Sequence, residues 1–315
     1  MVSGYSLNVN EYSCFESPLR NTLLLVKDLK GFSQWTNDRL PDNMCSYGYL
    51  QSSSVSTIAL TSPPPPVPEQ RSPMPGQPIT SQEAAPLLEV SGLTIEFETP
   101  RGPLRVVSGI SLAVQRSEVV AVVGESGSGK SVTALSMLGL LPRNARVVEG
   151  NIHFEGRDLL HLEGEHLRNL RGKRIAMVFQ DPMSALNPVL TVGFQIMEPL
   201  RIHLGMDTST ARARAVELLG MVGITEPHSR LDQYPHEFSG GMRQRVMIAI
   251  ALACEPRLLI ADEPTAALDV TIQAQILELV KDLTRRLGIS LILITHNLGI
   301  VARYADRVVV MYAGQ

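Results

Sequence analysis

The sequence predicts an α/β fold: a parallel sheet with a helical subdomain inserted into it. Three observations carry this reading. Short apolar runs at Glu118–Val123, Leu258–Ala261 and Leu291–Ile294 read as buried strands. A glycine-rich turn and then a helical run follow the first of them. Residues 183–253, between the first run and the second, are mainly helical in period. Strands alternating with helices build a parallel sheet.

Composition sets the bounds. The chain has 315 residues, 44% hydrophobic and 19% charged, which allows a sizeable core and excludes wholesale disorder. Its 28 basic residues against 31 acidic ones lack the excess that a nucleic-acid-coating protein carries, so no nucleic-acid partner is expected. Cys14, Cys45 and Cys254 lie far apart, which argues against a disulfide scaffold or a cysteine-rich metal site and fits a reducing compartment. The longest purely apolar run, Val246–Cys254, is far short of the ~20 residues a membrane-spanning helix needs. The first residues show no basic stretch leading into an apolar one, so no signal peptide is expected.

In chain order, residues 1–85 read as a disordered Pro/Ser-rich extension. They hold 10 of the 21 prolines, eight of them within residues 61–78, which suits an extended linker or a Pro-rich ligand. Met74 offers an alternative protein start. From residue 86 the pattern is that of a folded domain. Leu87–Phe97 alternates apolar and polar like a half-buried strand, Arg101-Gly102-Pro103 signals a turn, and Leu104–Val114 resumes strand character. Glu118–Val123 is a buried strand and Ser131–Leu141 a helical run. The helical subdomain spans about 183–253, with a helix at Arg243–Cys254. Arg307–Met311 reads as a strand and Tyr312-Ala313-Gly314 as the turn after it.

The chemistry starts at the first buried strand. Gly124-Glu125-Ser126-Gly127-Ser128-Gly129-Lys130-Ser131 matches GxxxxGK[ST] between a predicted strand and a predicted helix. The glycines let backbone N–H groups turn inward around a phosphate, and the helix aims its positive end at the same anion. Lys130 supplies a point charge, and the Ser131 hydroxyl is a hard ligand suited to Mg²⁺. The loop therefore predicts ATP and Mg²⁺ as ligands. Leu258–Ala261 ends in Asp262, whose carboxylate at the strand's end is placed to reach that Mg²⁺. Glu263 follows and is the candidate to polarise a water. Ser239-Gly240-Gly241, just ahead of a helix, forms a second phosphate-binding surface. One nucleotide does not need two such surfaces, whereas two facing copies do.

With these motifs the sequence resembles the ATPase subunit of ABC transporters over residues 87–315. Phe238-Ser239-Gly240-Gly241-Met242 resembles the signature motif, and Ala267-Leu268-Asp269 the D-loop. The resemblance makes Gln180 the Q-loop glutamine that touches Mg²⁺ and senses a transmembrane partner. It makes His296 the switch histidine at the γ-phosphate and Phe97 the candidate for stacking on adenine, with Val107 beside it. It implies a P-loop NTPase (RecA-like) core with an antiparallel β subdomain and an inserted α-helical one. Phe179–Pro188, Tyr234–Val246 and Ala261–Ile276 look like the oligopeptide/dipeptide importer branch, which nickel and some glycoside importers share. The implied partners are a second ATPase subunit, two transmembrane permease subunits and a periplasmic solute-binding protein. The implied place is peripheral, on the cytoplasmic face of the bacterial inner membrane, with docking through about Met183–Leu200. A non-transport ABC ATPase is disfavoured because no long coiled coil or second cassette is visible. A catalytically impaired subunit is the other alternative.

Asn297 stands where the family usually has aspartate after the switch histidine. The sequence stops at Gln315, where relatives continue, so the domain reads as C-terminally truncated. The six histidines other than His296 read as surface or packing residues, and His161 and His166 are poorly spaced for one metal. Arg212, Arg214 and Glu217 read as a solvated helix face, Met242 and Met247 as core, and Cys254 as inert.

Overall fold

The structure, a computed structural model, describes residues 85–162, 164–265 and 268–315. The expectations for the N-terminal extension up to residue 84, and for Ala267 in the D-loop, lie outside the described residues.

Two sheets and a helical segment make up the described chain. The order is β1 (Leu88–Thr99), β2 (Gly102–Val114), β3 (Val119–Val123), α1 (Lys130–Met137), β4 (Ala145–Phe154), β5 (Arg157–Asp158), α2 (Gly164–Leu170) and β6 (Ile175–Val178). Then come α3 (Pro182–Ala185), α4 (Val192–Leu204), α5 (Thr208–Met221), α6 (Pro227–Arg230) and α7 (Gly240–Leu252). The chain continues through β7 (Leu258–Asp262), α8 (Val270–Leu287), β8 (Ser290–Thr295), α9 (Leu298–Tyr304) and β9 (Arg307–Val310). An antiparallel sheet has the order β2-β1-β4-β5, and a parallel sheet the order β6-β7-β8-β3-β9.

The parallel strands are apolar throughout because both of their faces are covered. Alternate residues serve different cores. Leu259, Ala261, Leu291 and Leu293 join the helices α4, α5, α7 and α8 in one core. Leu258, Ile260, Ile292 and Ile294 join the antiparallel sheet and α1 in the other. Helices α4, α5, α7, α8 and α9 start where side chains cap them: Thr191, Asp207, Ser239, Asp269 and Asn297 each accept a backbone N–H of their own first turn. Asn297 thus does at α9 the capping that an aspartate would do.

Some boundaries differ from the sequence reading. The helix expected to reach Leu141 ends at Met137, because Gly139 turns left-handed at φ 60° and Pro142 follows. The helix expected from Arg243 begins at Gly240, where the Ser239 hydroxyl caps it. β4 escaped the reading because most of its residues are exposed or half-buried, so it shows no apolar run. The turn after β9 is present: Tyr312 and Gln315 exchange both backbone hydrogen bonds, at 2.8 and 2.9 Å. The Gly314 carbonyl also accepts the Ser108 N–H of β2 at 2.7 Å.

Candidate nucleotide-binding site

The candidate residues gather at the carboxyl ends of four neighbouring parallel strands. β3 leads into the glycine loop, β8 into His296, β7 ends in Asp262, and Gln180 lies just past β6. Parallel strands present their following loops on one edge of the sheet, which is where α/β folds place ligands.

The loop is tightly organised. Gly127 and Gly129 are left-handed, at φ 82° and 93°, and α1 begins at Lys130. The Lys130 ammonium is buried and donates to the carbonyls of Gly124 and Glu125, each at 2.8 Å. A Cβ on Gly124 would stand 2.1 Å from the Met311 carbonyl oxygen, so the segment after β9 closes on the loop's first residue. Val107 of β2 meets the loop from another side, with Cγ2 3.0 Å from where a Cβ on Gly129 would lie. Phe97 is half-buried in β1, opposite Leu104 and Ala145, and it packs against the core shared with α1. The hairpin residues that meet the loop at Gly129 are therefore Val107 and, through its carbonyl, Val106.

Acids and polar groups meet beside the loop. Ser131 Oγ donates to Asp262 Oδ1 at 3.0 Å. Asp262 is 6% exposed, and its carboxyl is held above the usual aspartate range. Burial is the main cause and the Glu263 charge adds to it, while the Ser131 hydrogen bond and Lys130 oppose. Glu263 is left-handed at φ 42°, a strained position for a residue with a Cβ, and its N–H is held by the Ile294 carbonyl at 3.0 Å. Its side chain is clamped from both sides: Gln180 Nε2 donates to Oε2 at 3.1 Å, and His296 Nδ1 lies 3.2 Å from Oε1. Lys130, Ser131, Gln180, Asp262, Glu263 and His296 thus form one site.

The signature and D-loop side chains bond locally instead. Ser239 Oγ accepts the Met242 N–H at 3.4 Å, and Asp269 Oδ1 accepts the Thr271 and Ile272 N–H groups at 3.1 and 3.0 Å. Gly240 faces Leu268, and Gly241 faces Ile272. Among the described residues neither Ser239 nor Asp269 hydrogen-bonds the 124–131 loop. Sequence reasoning missed Met311, whose carbonyl meets Gly124 and whose buried Cε lies 3.4 Å from where a Cβ on Gly129 would be; an apolar residue at the end of a strand run announces neither contact. It also missed Gln244, which has no hydrogen-bond partner for its buried Nε2. The bland readings stand elsewhere. His161 pairs with Asp158 at 2.8 Å, Arg212 with Asp232 at 2.8 Å, and Arg214 with Glu217 and Glu255 at 2.7 and 2.9 Å. Met247 is buried, and burial pushes the Cys254 thiol up to about 11.

A glycine loop at one parallel strand end, with a carboxylate from a nearby strand against its serine, defines a P-loop nucleotide-binding ATPase. The chain belongs to the ABC transporter family, whose description matches residues 107–266. It is 55% identical over 229 residues to "Dipeptide transport ATP-binding protein DppD" of Escherichia coli (strain K12), covering 73% of this chain and 70% of that protein. It is 56% identical over 230 residues to "Oligopeptide transport ATP-binding protein OppD" of Bacillus subtilis (strain 168), covering 73% of this chain and 64% of that one. Among solved structures it resembles a dimeric ATP-binding cassette in a post-hydrolysis state with ADP and Pi, with TM-score 0.65 and 29% identity over 72% of this chain and 95% of that one. It also resembles cbiO1 from Clostridium perfringens, part of an ABC transporter complex, with TM-score 0.61 and 31% identity over 73% of this chain and 86% of that one.

Proposed function

We propose that this chain binds Mg-ATP at the 124–131 loop and hydrolyses it to drive peptide import through a membrane permease. The convergence of Lys130, Ser131, Asp262 and Glu263 carries this reading. The named roles of the relatives, dipeptide and oligopeptide transport, supply the substrate class.

The residues suit a hard cation. A hydroxyl and a carboxylate oxygen 3.0 Å apart, with the Gln180 amide nearby, are oxygen ligands of the kind Mg²⁺ takes. Ser131, Asp262 and Gln180 would hold the ion, which when bound neutralises triphosphate charge. Lys130 exchanges its loop carbonyls for phosphate oxygens. Glu263 orients the attacking water in line with the γ-phosphate, and His296 donates to that phosphate. Phosphoryl transfer asks mainly for this positioning and charge stabilisation. Phe97 packs against the adenine.

Ser239, Gly240 and Gly241 act on the nucleotide of a second ATPase subunit. Support comes from Ser239 making no hydrogen bond to this chain's own 124–131 loop and from the dimeric neighbour. Two such subunits sit under two permease subunits at the cytoplasmic face of the inner membrane, served by a periplasmic solute-binding protein. No described helix is long and apolar enough to cross a membrane. Docking runs through about 183–200, where Met183, Val189 and Phe194 expose apolar side chains. The 86–315 segment is the ATPase domain, with its helical subdomain at about 183–253.

Glu263→Gln in the assembled transporter is the test. ATP binding should persist while hydrolysis falls about 100-fold or more, the range for loss of a general base. Hydrolysis at the wild-type rate would refute the role of Glu263.

A further inference from the structure

A small cavity of about 160 Å³ separates the segment after β6 from the first turn of α7. Gln180, Asp181, Gly240, Gln244, Thr265 and Leu268 are among the residues that line it. Gln244 is 1% exposed, and its amide Nε2 is buried without a hydrogen-bond partner. Leaving such a donor unmet costs about 1–3 kcal/mol, so its retention calls for an explanation.

The polar groups around Gln244 are engaged elsewhere. Gln180 donates to Glu263, and Asp181 Oδ1 accepts the Met183 N–H at 2.9 Å. Thr265 Oγ1 accepts Gln273 Nε2 at 2.9 Å. Arg243, the neighbour of Gln244 on α7, donates to the Pro235 carbonyl at 2.7 Å, to the His236 carbonyl at 3.3 Å and to Met183 Sδ at 2.9 Å. Arg243 therefore already joins the end of the 180–183 loop to the turn before α7. What is missing is a link at the start of that loop, and the cavity lies there.

We propose that Gln244 is a positioning residue for the nucleotide cycle: its amide N–H is held for an acceptor on Gln180 or Asp181 when that segment leaves Glu263 and enters the cavity. The bond then ties the first turn of α7, with Ser239 and Gly240, to the state of Gln180. While Gln180 is bonded to Glu263 the donor stays unmet. Once Gln180 turns to the nucleotide and carries Asp181 further into the cavity, an Asp181 oxygen satisfies the donor, so the closed state gains a bond that the resting state lacks. This rests on the reading of the chain as an ATPase that closes on nucleotide.

The test is Gln244→Met, which keeps length and volume and removes the donor. Three results are expected. The thermal midpoint of the nucleotide-free protein should equal or exceed that of the wild type, since a buried unmet donor is gone. ATP affinity should stay within about twofold, because the loop is untouched. The kcat for ATP in the assembled transporter should fall about fivefold to tenfold, the worth of one hydrogen bond. Gln244→Leu, apolar and without a donor in any protonation state, should show the same loss of kcat. Wild-type kcat in both variants overturns the proposal. So does a lowered midpoint in both with kcat and affinity falling together, which makes Gln244 a packing residue. A wild-type protein that does not hydrolyse ATP at all brings down the ATPase reading itself and this inference with it.

Discussion

Gly124→Ala should destabilise the protein more than Gly127→Ala, for a reason visible only in three dimensions. The added Cβ would stand 2.1 Å from the Met311 carbonyl oxygen and 2.7 Å from Ser128 Oγ, where real Cβ contacts stay above 3.0 Å. The Ser128 hydroxyl is able to swing away, but the Met311 carbonyl is backbone. Either the loop or the segment after β9 must move by about 1 Å, and overpacking of this kind costs roughly 3 kcal/mol. For a domain of this size that lowers the thermal midpoint by about 6–12 °C. Gly127→Ala is the control: nothing lies within 4 Å, so only the left-handed backbone at φ 82° is penalised. That strain costs about 1–2 kcal/mol. Thermal unfolding of both variants and of Gly124→Ala/Ser128→Ala decides the matter. The double variant should remain as unstable as Gly124→Ala. A smaller drop for Gly124→Ala than for Gly127→Ala, or rescue by the Ser128 change, would refute the backbone clash.

Three further outcomes are expected. Asp262→Asn should raise the midpoint of the metal-free protein at neutral pH while abolishing Mg²⁺-dependent hydrolysis. The Asp262 carboxyl is pushed up in the folded state, mainly by burial, so its contribution to stability is present at low pH and lost as pH rises through the folded value. The gain from asparagine should therefore vanish in acid; a gain that grows in acid would contradict it. Cys254, buried with its thiol at about 11, should resist alkylation at neutral pH in the native protein and react on unfolding, as peptide mass analysis would show. Arg307→Ala should cost about 1–2 kcal/mol, because Glu118 loses the guanidinium that Arg307 holds at 2.7 Å but keeps the Gln115 N–H at 2.6 Å; chemical denaturation with an unchanged midpoint would count against this.

Much of the site was legible because its parts are local in sequence. Gly124–Ser131 is a contiguous motif, and Asp262–Glu263 ends an apolar run. The meeting of Ser131 with Asp262 is between residues 131 positions apart, yet both sit at strand or helix ends whose direction the pattern fixes. Gln180, His296 and Asp269 carry no local pattern strong enough to name them, and it took likeness to a family to single them out. Features that act through the backbone were illegible. Met311 meets Gly124 through a carbonyl oxygen and Gly129 through its side-chain tip, and one apolar residue closing a strand run announces neither. β4 was hidden because one face of the antiparallel sheet is largely open to solvent, leaving no apolar run. Gln244 reads as an ordinary polar residue on a helix; only the cavity beside it shows an amide without a partner.

The strand order has a consequence in time. β3, which carries the phosphate loop, sits between β8 and β9, whose residues follow it by well over a hundred positions; Ser117, just ahead of β3, and Ser290, which opens β8, are hydrogen-bonded and 173 residues apart. At roughly 5–20 residues per second, a ribosome needs on the order of 10 to 35 seconds to cover that gap. Through that interval the apolar Val119–Val123 run has left the tunnel without either neighbour. The loop cannot hold nucleotide in its native form until nearly the whole domain has emerged, so ligand cannot template early folding. A newborn chain must instead keep β3 from pairing with the wrong edge, which makes the synthesis of this subunit, more than its mature state, the stage most exposed to aggregation.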